Sequence, residues 1–160
     1  MAVDSATFRS ALGHFPSGVT VVTMAHQGVK GGLTVSAFSS LSLNPPYILV
    51  CIDKRSQTLA LLRDSGAFAV NILSSTQQDV SNHFASKLDD KVSGVAHHDG
   101  TLHCPILEGT LAHLECRLVQ EVDAGDHFIY IGEVEDASVD PVKSPLLYYH
   151  GTYGNFATHA

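Results

Sequence analysis

The spacing of apolar and polar residues changes several times along the chain, and each change marks an element. Phe8, Leu12 and Phe15 recur at i, i+4 and i+7, so residues 3–15 read as an amphipathic helix. Asp4 or Ser5 caps its start, and Pro16 and Gly18 stop it. Residues 19–24 are dense in β-branched side chains and form a strand; His26-Gln27-Gly28 then turns the chain into a second strand over 32–38. After Pro45-Pro46, residues 47–52 are almost wholly apolar, as expected of a strand covered on both faces. Ser56 or Thr58 caps a short helix through Leu62 that Gly66 ends, 67–73 is a strand, and Ser74-Ser75-Thr76 opens a helix to about residue 86. Residues 87–104 show no period, and long stretches of this kind are often functional. The strand pattern then resumes. Ala112, Leu114, Cys116 and Leu118 alternate with His113, Glu115 and Arg117, a half-buried strand whose hairpin partner lies at 128–134 across Asp123-Ala124-Gly125-Asp126. The tail carries Tyr148, Tyr149, Tyr153 and Phe156.

About six strands with few, short helices exclude a doubly wound parallel sheet, which needs a helix between nearly every pair of strands. The expected architecture is mainly β with peripheral α-helices, a small antiparallel barrel formed as one domain over residues 1–160. No apolar run approaches the roughly 20 residues of a membrane helix, and the N-terminus lacks the basic start and apolar stretch of a secretory signal. A cytoplasmic protein without a membrane partner is expected. Cys51, Cys104 and Cys116 form no Cys-x-x-Cys pair and read as reduced, packed thiols. The net charge of −7 argues against nucleic acid as a partner, so any phosphate is held locally.

Such a local cluster exists. Thr34, Ser36, Ser39, Ser40 and Ser42 crowd hydroxyls onto a strand and the turn after it, and Asp53-Lys54-Arg55-Ser56-Gln57-Thr58 adds two cations and two hydroxyls where a strand meets a helix. Two readings stand side by side: a Ser-rich edge strand with an ordinary helix cap, or an anion seat in which unpaired amides and a bidentate arginine hold phosphate. His97, His98 and His103-Cys104 have metal-ligand chemistry, but the first pair is adjacent rather than i, i+4, so a solvated loop is favoured and no metal is assigned.

Residues 32–46, Gly-Leu-Thr-Val-Ser-Ala-Phe-Ser-Ser-Leu-Ser-Leu-Asn-Pro-Pro, followed by an apolar strand and Asp53-Lys54-Arg55-Ser56-Gln57-Thr58, resemble the flavin-binding signature of the short-chain flavin reductase family, the reductase components of two-component flavin monooxygenases. The resemblance extends to Phe-Pro-Ser-Gly-Val-Thr-Val-Val-Thr at 15–23, Phe-Ala-Val-Asn-Ile-Leu at 68–73, Gly125-Asp126-His127 and the closing Pro-Leu-Leu-Tyr-Tyr-His-Gly-x-Tyr. One departure is residues 92–98, less hydrophobic than the Phe-rich stretch of relatives.

The resemblance implies a dimeric split β-barrel binding FAD or FMN, with NADH or NADPH as hydride donor and a separate oxygenase receiving reduced flavin. By the same resemblance, Thr34, Val35 and Ser36 line the isoalloxazine; Ser39, Ser40, Lys54, Arg55, Ser56 and Thr58 surround the phosphate and ribityl chain. Cys51, Ile52 and Asp53 offer main-chain edges to the ring, and Phe84 and Lys87 reach the outer part of the flavin nucleotide. Gly125 and Asp126 carry His127, the catalytic candidate beside the nicotinamide, and Tyr149, His150, Gly151 and Tyr153 close over it. Hydride transfer between cofactors needs no catalytic triad. Two other functions remain open: a non-catalytic flavin-binding module of the same fold, and a pyridoxamine phosphate oxidase, ranked below because it needs a larger basic site than two cations supply.

Overall fold

The computed structural model describes residues 2–157. The chain begins with helix α1 (Ser5–Gly13) and the short strand β1 (Ser17–Gly18), then β2 (Thr20–His26), β3 (Val29–Val35), β4 (Phe38–Leu43) and β5 (Pro46–Asp53). Helix α2 (Leu59–Ser65), β6 (Ala67–Ile72) and helix α3 (Gln78–Ala85) follow. Next come β7 (His97–Asp99), β8 (Pro105–Leu107), the long β9 (Ala112–Ala124) and β10 (His127–Val139), and a closing hairpin of β11 (Leu146–Tyr149) and β12 (Thr152–Asn155).

Seven strands form one antiparallel sheet in the order β3-β2-β6-β9-β10-β5-β4, flanked by a β1-β11-β12 sheet and a β7-β8 pair. The sheet curls until its inward side chains share a core: Val22, Met24, Val35, Val50, Ile52, Phe68, Val70, Cys116 and Tyr130 meet Leu59 and Leu62 of α2. No ladder joins the end strands β3 and β4, so the barrel is split rather than closed. β2 is covered on both faces, because Val21 joins a second core of Val19, Leu73, Phe84, Val92, Leu107 and Leu146 beneath α3. The β2–β3 turn uses positive φ at both Gln27 (49°) and Gly28 (82°), the pattern of a two-residue turn that matches strand twist.

Several expectations need correction. The strand expected at 32–38 is two: β3 ends at Val35, and β4 starts at Phe38. Phe38 N donates to Ser36 O at 3.0 Å in a tight turn, and a single Ser among β-forming neighbours is too weak a turn signal to mark it in the sequence. β5 buries only every second residue, Ile48, Val50 and Ile52, so one face is covered and not both. The irregular stretch 87–104 contains β7, and the aromatic tail is a hairpin turned by His150 and Gly151, both at positive φ. Helix α1 is capped by Asp4, whose carboxylate accepts from Ala6 N and Thr7 N, yet it buries none of its residues; Phe8, Leu12 and the following Phe15 are all exposed. Among the described residues no helix is long and apolar enough to cross a membrane.

Glu115 departs from its alternating pattern. The strand places it outward, yet it is 1% exposed, because the loop after β7 covers it. Thr101 N and Oγ1 donate to Oε1 at 2.8 and 3.0 Å, and Leu102 N donates to Oε2 at 2.7 Å. The buried carboxylate is satisfied by these donors, and they by it. Glu115→Ala leaves the part-buried loop donors of Thr101 and Leu102 without their acceptor and is expected to lower stability by about 1–2 kcal/mol. Urea unfolding checks this; an unchanged midpoint means that the loop does not depend on Glu115.

Candidate functional site

A cavity of about 880 Å³ opens between β3, α2 and α3. Its floor follows from two glycines. A Cβ on Gly31 would lie 2.7 Å from Leu61 of α2, and one on Gly32 would lie 2.6 Å from the Phe84 ring of α3, so only hydrogen there lets both helices settle on β3. Thr34 lines the cavity, but its hydroxyl donates to Ser81 O at 2.6 Å and fastens β3 to α3.

One wall is the turn from β5 into α2. Arg55, Ser56, Gln57 and Thr58 line the cavity with Asp53. Thr58 is the N-cap of α2 but makes no side-chain capping bond; its hydroxyl lies 2.8 Å from Ser56 Oγ instead. Ser56 Oγ also accepts Thr58 N at 3.3 Å, so Ser56 braces the turn while the Thr58 hydroxyl is not used as a helix cap. Across the cavity stand Lys87 and Lys91. Lys91 donates to Phe84 O at 3.0 Å, and burial pulls its pKa down. The lining holds four cations (Lys30, Arg55, Lys87, Lys91) against two carboxylates (Asp53, Asp89), a locally positive surface on a chain of net charge −7. Two of them are already engaged: Lys30 with Asp99 at 2.6 Å, and Arg55 with Asp53 at 2.6 Å. Arg55, hydrogen-bonded through side chain and main chain, holds the Asp53 carboxyl well below the usual carboxylate range. Lys30 and Lys91 escaped the sequence reading because each lies outside the signature.

Beside this wall β5 and β10 pair in register, with His127 opposite Asp53. β4 begins with Phe38 opposite Val50, so the edge of β5 beyond it has no neighbouring strand; there Cys51 N donates to Ala37 O at 3.0 Å and Asp53 O accepts Ser56 N at 2.9 Å. Gly125 takes positive φ (65°) in the β9–β10 turn. His127 Nδ1 lies 2.7 Å from Asp126 Oδ1, which leaves Nε2 as the free ring nitrogen. That bond holds the exposed Asp126 carboxyl below its ordinary pKa.

Other expected residues lie elsewhere. Val35 and Ile52 are buried in the barrel core. Ser36, Ser39 and Ser40 are outside the cavity lining; Ser39 and Ser40 sit exposed on the edge strand β4. Lys54 turns away, pairing with Asp123 at 2.7 Å over the Phe128 ring. Tyr149, His150 and Gly151 pack at the end of α1, where His150 N donates to Gly13 O at 2.9 Å and its ring meets that of His14. Tyr153 reaches α3, its hydroxyl 2.8 Å from Ser81 Oγ and 3.0 Å from Asn82 Oδ1.

A second concavity, of about 500 Å³, is lined by His98, Asp99, His113, Glu115 and Asp136 among others. His113, Glu115 and Asp136 bring donor atoms within 4.8 Å of one another. Both Glu115 oxygens already serve the loop amides, however, so the trio is explained by folding. His97 and His98 diverge, the first toward Lys30 and the second toward Glu108.

Comparison with known proteins agrees with this geometry. Residues 12–157 match the domain family described as flavin reductase like. The chain is 42% identical over 153 residues, covering 94% of it and 82% of the relative, to the reductase subunit HsaB of a flavin-dependent monooxygenase from Mycobacterium tuberculosis. It is 41% identical over 158 residues, covering 96% and 83%, to a flavin reductase (NADH) of Kitasatospora aureofaciens. Its fold superposes with a TM-score of 0.93, at 34% identity and 100% and 99% coverage, on the NADH:FAD oxidoreductase SgcE6 of Streptomyces globisporus, solved with NAD and FAD fragments. The fold, the cavity and these similarities together place the chain in the flavin reductase-like family.

Proposed function

We propose that this protein is an NADH-dependent flavin reductase that acts on FAD as a homodimer and supplies reduced flavin to a separate oxygenase component. The observation that carries this reading is the turn Arg55-Ser56-Gln57-Thr58, whose cation and uncapped hydroxyls open into a cavity of about 880 Å³. The donor set fits a flavin phosphate: a guanidinium fork and adjacent hydroxyls. FAD is favoured over FMN because the cavity continues to Lys87 and Lys91, which offer charge for a second phosphate. The fragments bound by SgcE6 belong to the same two cofactors. Thiols throughout are free, in keeping with a reducing cytoplasm.

When bound, the flavin supplies a two-electron acceptor for the nicotinamide hydride. The protein's own contribution is binding and orientation. Arg55, Ser56 and Thr58 hold the phosphate end, and the main-chain groups of Cys51–Asp53 that the turn and Ala37 leave unused are offered to the ring. Phe84, buried under Gly32, keeps water from the cavity floor. His127, its Nδ1 tied to Asp126, turns Nε2 to the nicotinamide and positions it. The uncovered Phe8, Leu12 and Phe15 of the N-terminal segment, with Leu41 and Leu43 of β4 and Tyr148 and Tyr149 of β11, are the apolar surface that a second copy covers.

Three outcomes test this. Arg55→Ala is expected to weaken FAD binding by about 1.5–3 kcal/mol in a fluorescence titration; an unchanged Kd refutes the phosphate role. His127→Ala is expected to raise KM for NADH or lower kcat several-fold, and unaltered steady-state kinetics remove His127 from the reaction. In sedimentation velocity the protein runs as a dimer of the 17.1 kDa chain. Substituting Phe8 and Leu12 by Asp converts it to monomer, and a monomeric wild type ends the dimer reading.

A further inference from the structure

Arg55 sits on a turn with its side chain 89% exposed, so left alone it would sample many rotamers. One group restrains it. Arg55 Nε lies 3.0 and 3.2 Å from Asp53 Oδ1 and Oδ2, and Nη2 donates to Oδ2 at 2.6 Å. The acceptor is itself anchored. Asp53 is the last residue of β5, held in the ladder opposite His127, and its Oδ1 also accepts Arg55 N at 2.8 Å. The neighbouring charges are engaged elsewhere: Lys54 with Asp123, and Asp126 with His127.

We propose that the Asp53 side chain is a positioning residue for Arg55, gripping the guanidinium by its Nε–Nη2 edge so that the opposite edge faces the flavin phosphate. A guanidinium has five N–H donors; the grip uses the Nε–H and one on Nη2, leaving both on Nη1 and the second on Nη2 as a fork for phosphate oxygens. The carboxylate thus removes rotamer freedom before the ligand arrives, and less of the binding energy is lost to ordering. This role is separate from the main-chain contact that the family resemblance implies at this position. It rests on the reading of Arg55 as the phosphate ligand. The opposite possibility has the opposite sign: a carboxylate that competes with phosphate for Arg55 must be displaced, and removing it strengthens binding.

The test is Asp53→Asn, which still accepts Arg55 N but cannot make the charged two-point grip. FAD, FMN and riboflavin, the last lacking phosphate, are titrated by fluorescence into wild type, Asp53→Asn, Arg55→Ala and the double variant. Asp53→Asn is expected to weaken FAD and FMN roughly five- to tenfold, the scale of ordering one long side chain. Riboflavin should bind as before, and Arg55→Ala and the double variant should be alike for FMN. Tighter or unchanged FMN binding in Asp53→Asn, beside a weakened Arg55→Ala, overturns the positioning role alone. An equal loss for riboflavin also overturns it, because the defect is then structural. If Arg55→Ala itself leaves FMN binding unchanged, the parent reading fails instead.

Discussion

The in-register pairing of β5 with β10 is the constraint on which the site depends. Seven consecutive cross-strand partners, from Tyr47 with Glu133 to Asp53 with His127, run from the barrel interior to its rim. Interior members such as Val50 and Tyr130 are buried in the core, so the whole ladder is locked by packing. A slip of one residue would turn the buried Ile48, Val50 and Ile52 outward, and the barrel would lose its inner face. The same lock carries to the rim, where it sets the Asp53–Thr58 turn and the histidine-bearing turn side by side. Chemistry at the edge is thus positioned by hydrophobic burial at the centre.

The cavity illustrates a second economy. Its polar groups differ in how far they are already used. Thr34 is spent on Ser81, Lys30 on Asp99 and Lys91 on a carbonyl, whereas Ser56 and Thr58 bond mainly to each other. Hydroxyls bonded mainly to each other lose little when a ligand replaces the partnership. In an acidic chain this lining holds a local surplus of cations over carboxylates, which favours an anion there.

Much of this was legible in the sequence, for reasons that can be named. Period-two alternation, β-branched density and the Gly turns exposed most strands, since these signals are local. The turn at 53–58 was legible as two readings, and the absent capping bond of Thr58 takes away support from the plainer one. Contacts between distant segments were not legible. The break at Ser36–Ala37 is marked by a lone serine, the burial of Glu115 depends on a loop fourteen positions away, and Lys30 and Lys91 join the cavity through tertiary packing. Ser39 and Ser40 show the reverse case: similarity of motif put them at the phosphate, while in the single chain β4 leaves them exposed outside the lining.

Glu115 has a reach beyond its own loop. The segment it clasps begins next to Asp99, and Asp99 is the residue that restrains Lys30 at the mouth of the cavity. Gly100 stands between them, so close that an added methyl would fall 2.4 Å from the Glu115 carboxylate. A side chain at Gly100 would therefore press on the carboxylate that clasps this loop, and the disturbance would reach Lys30 through the neighbouring Asp99 rather than through any contact with the cavity. The loop thus works as a strap, fastened at Glu115 on one side and at Lys30 on the other.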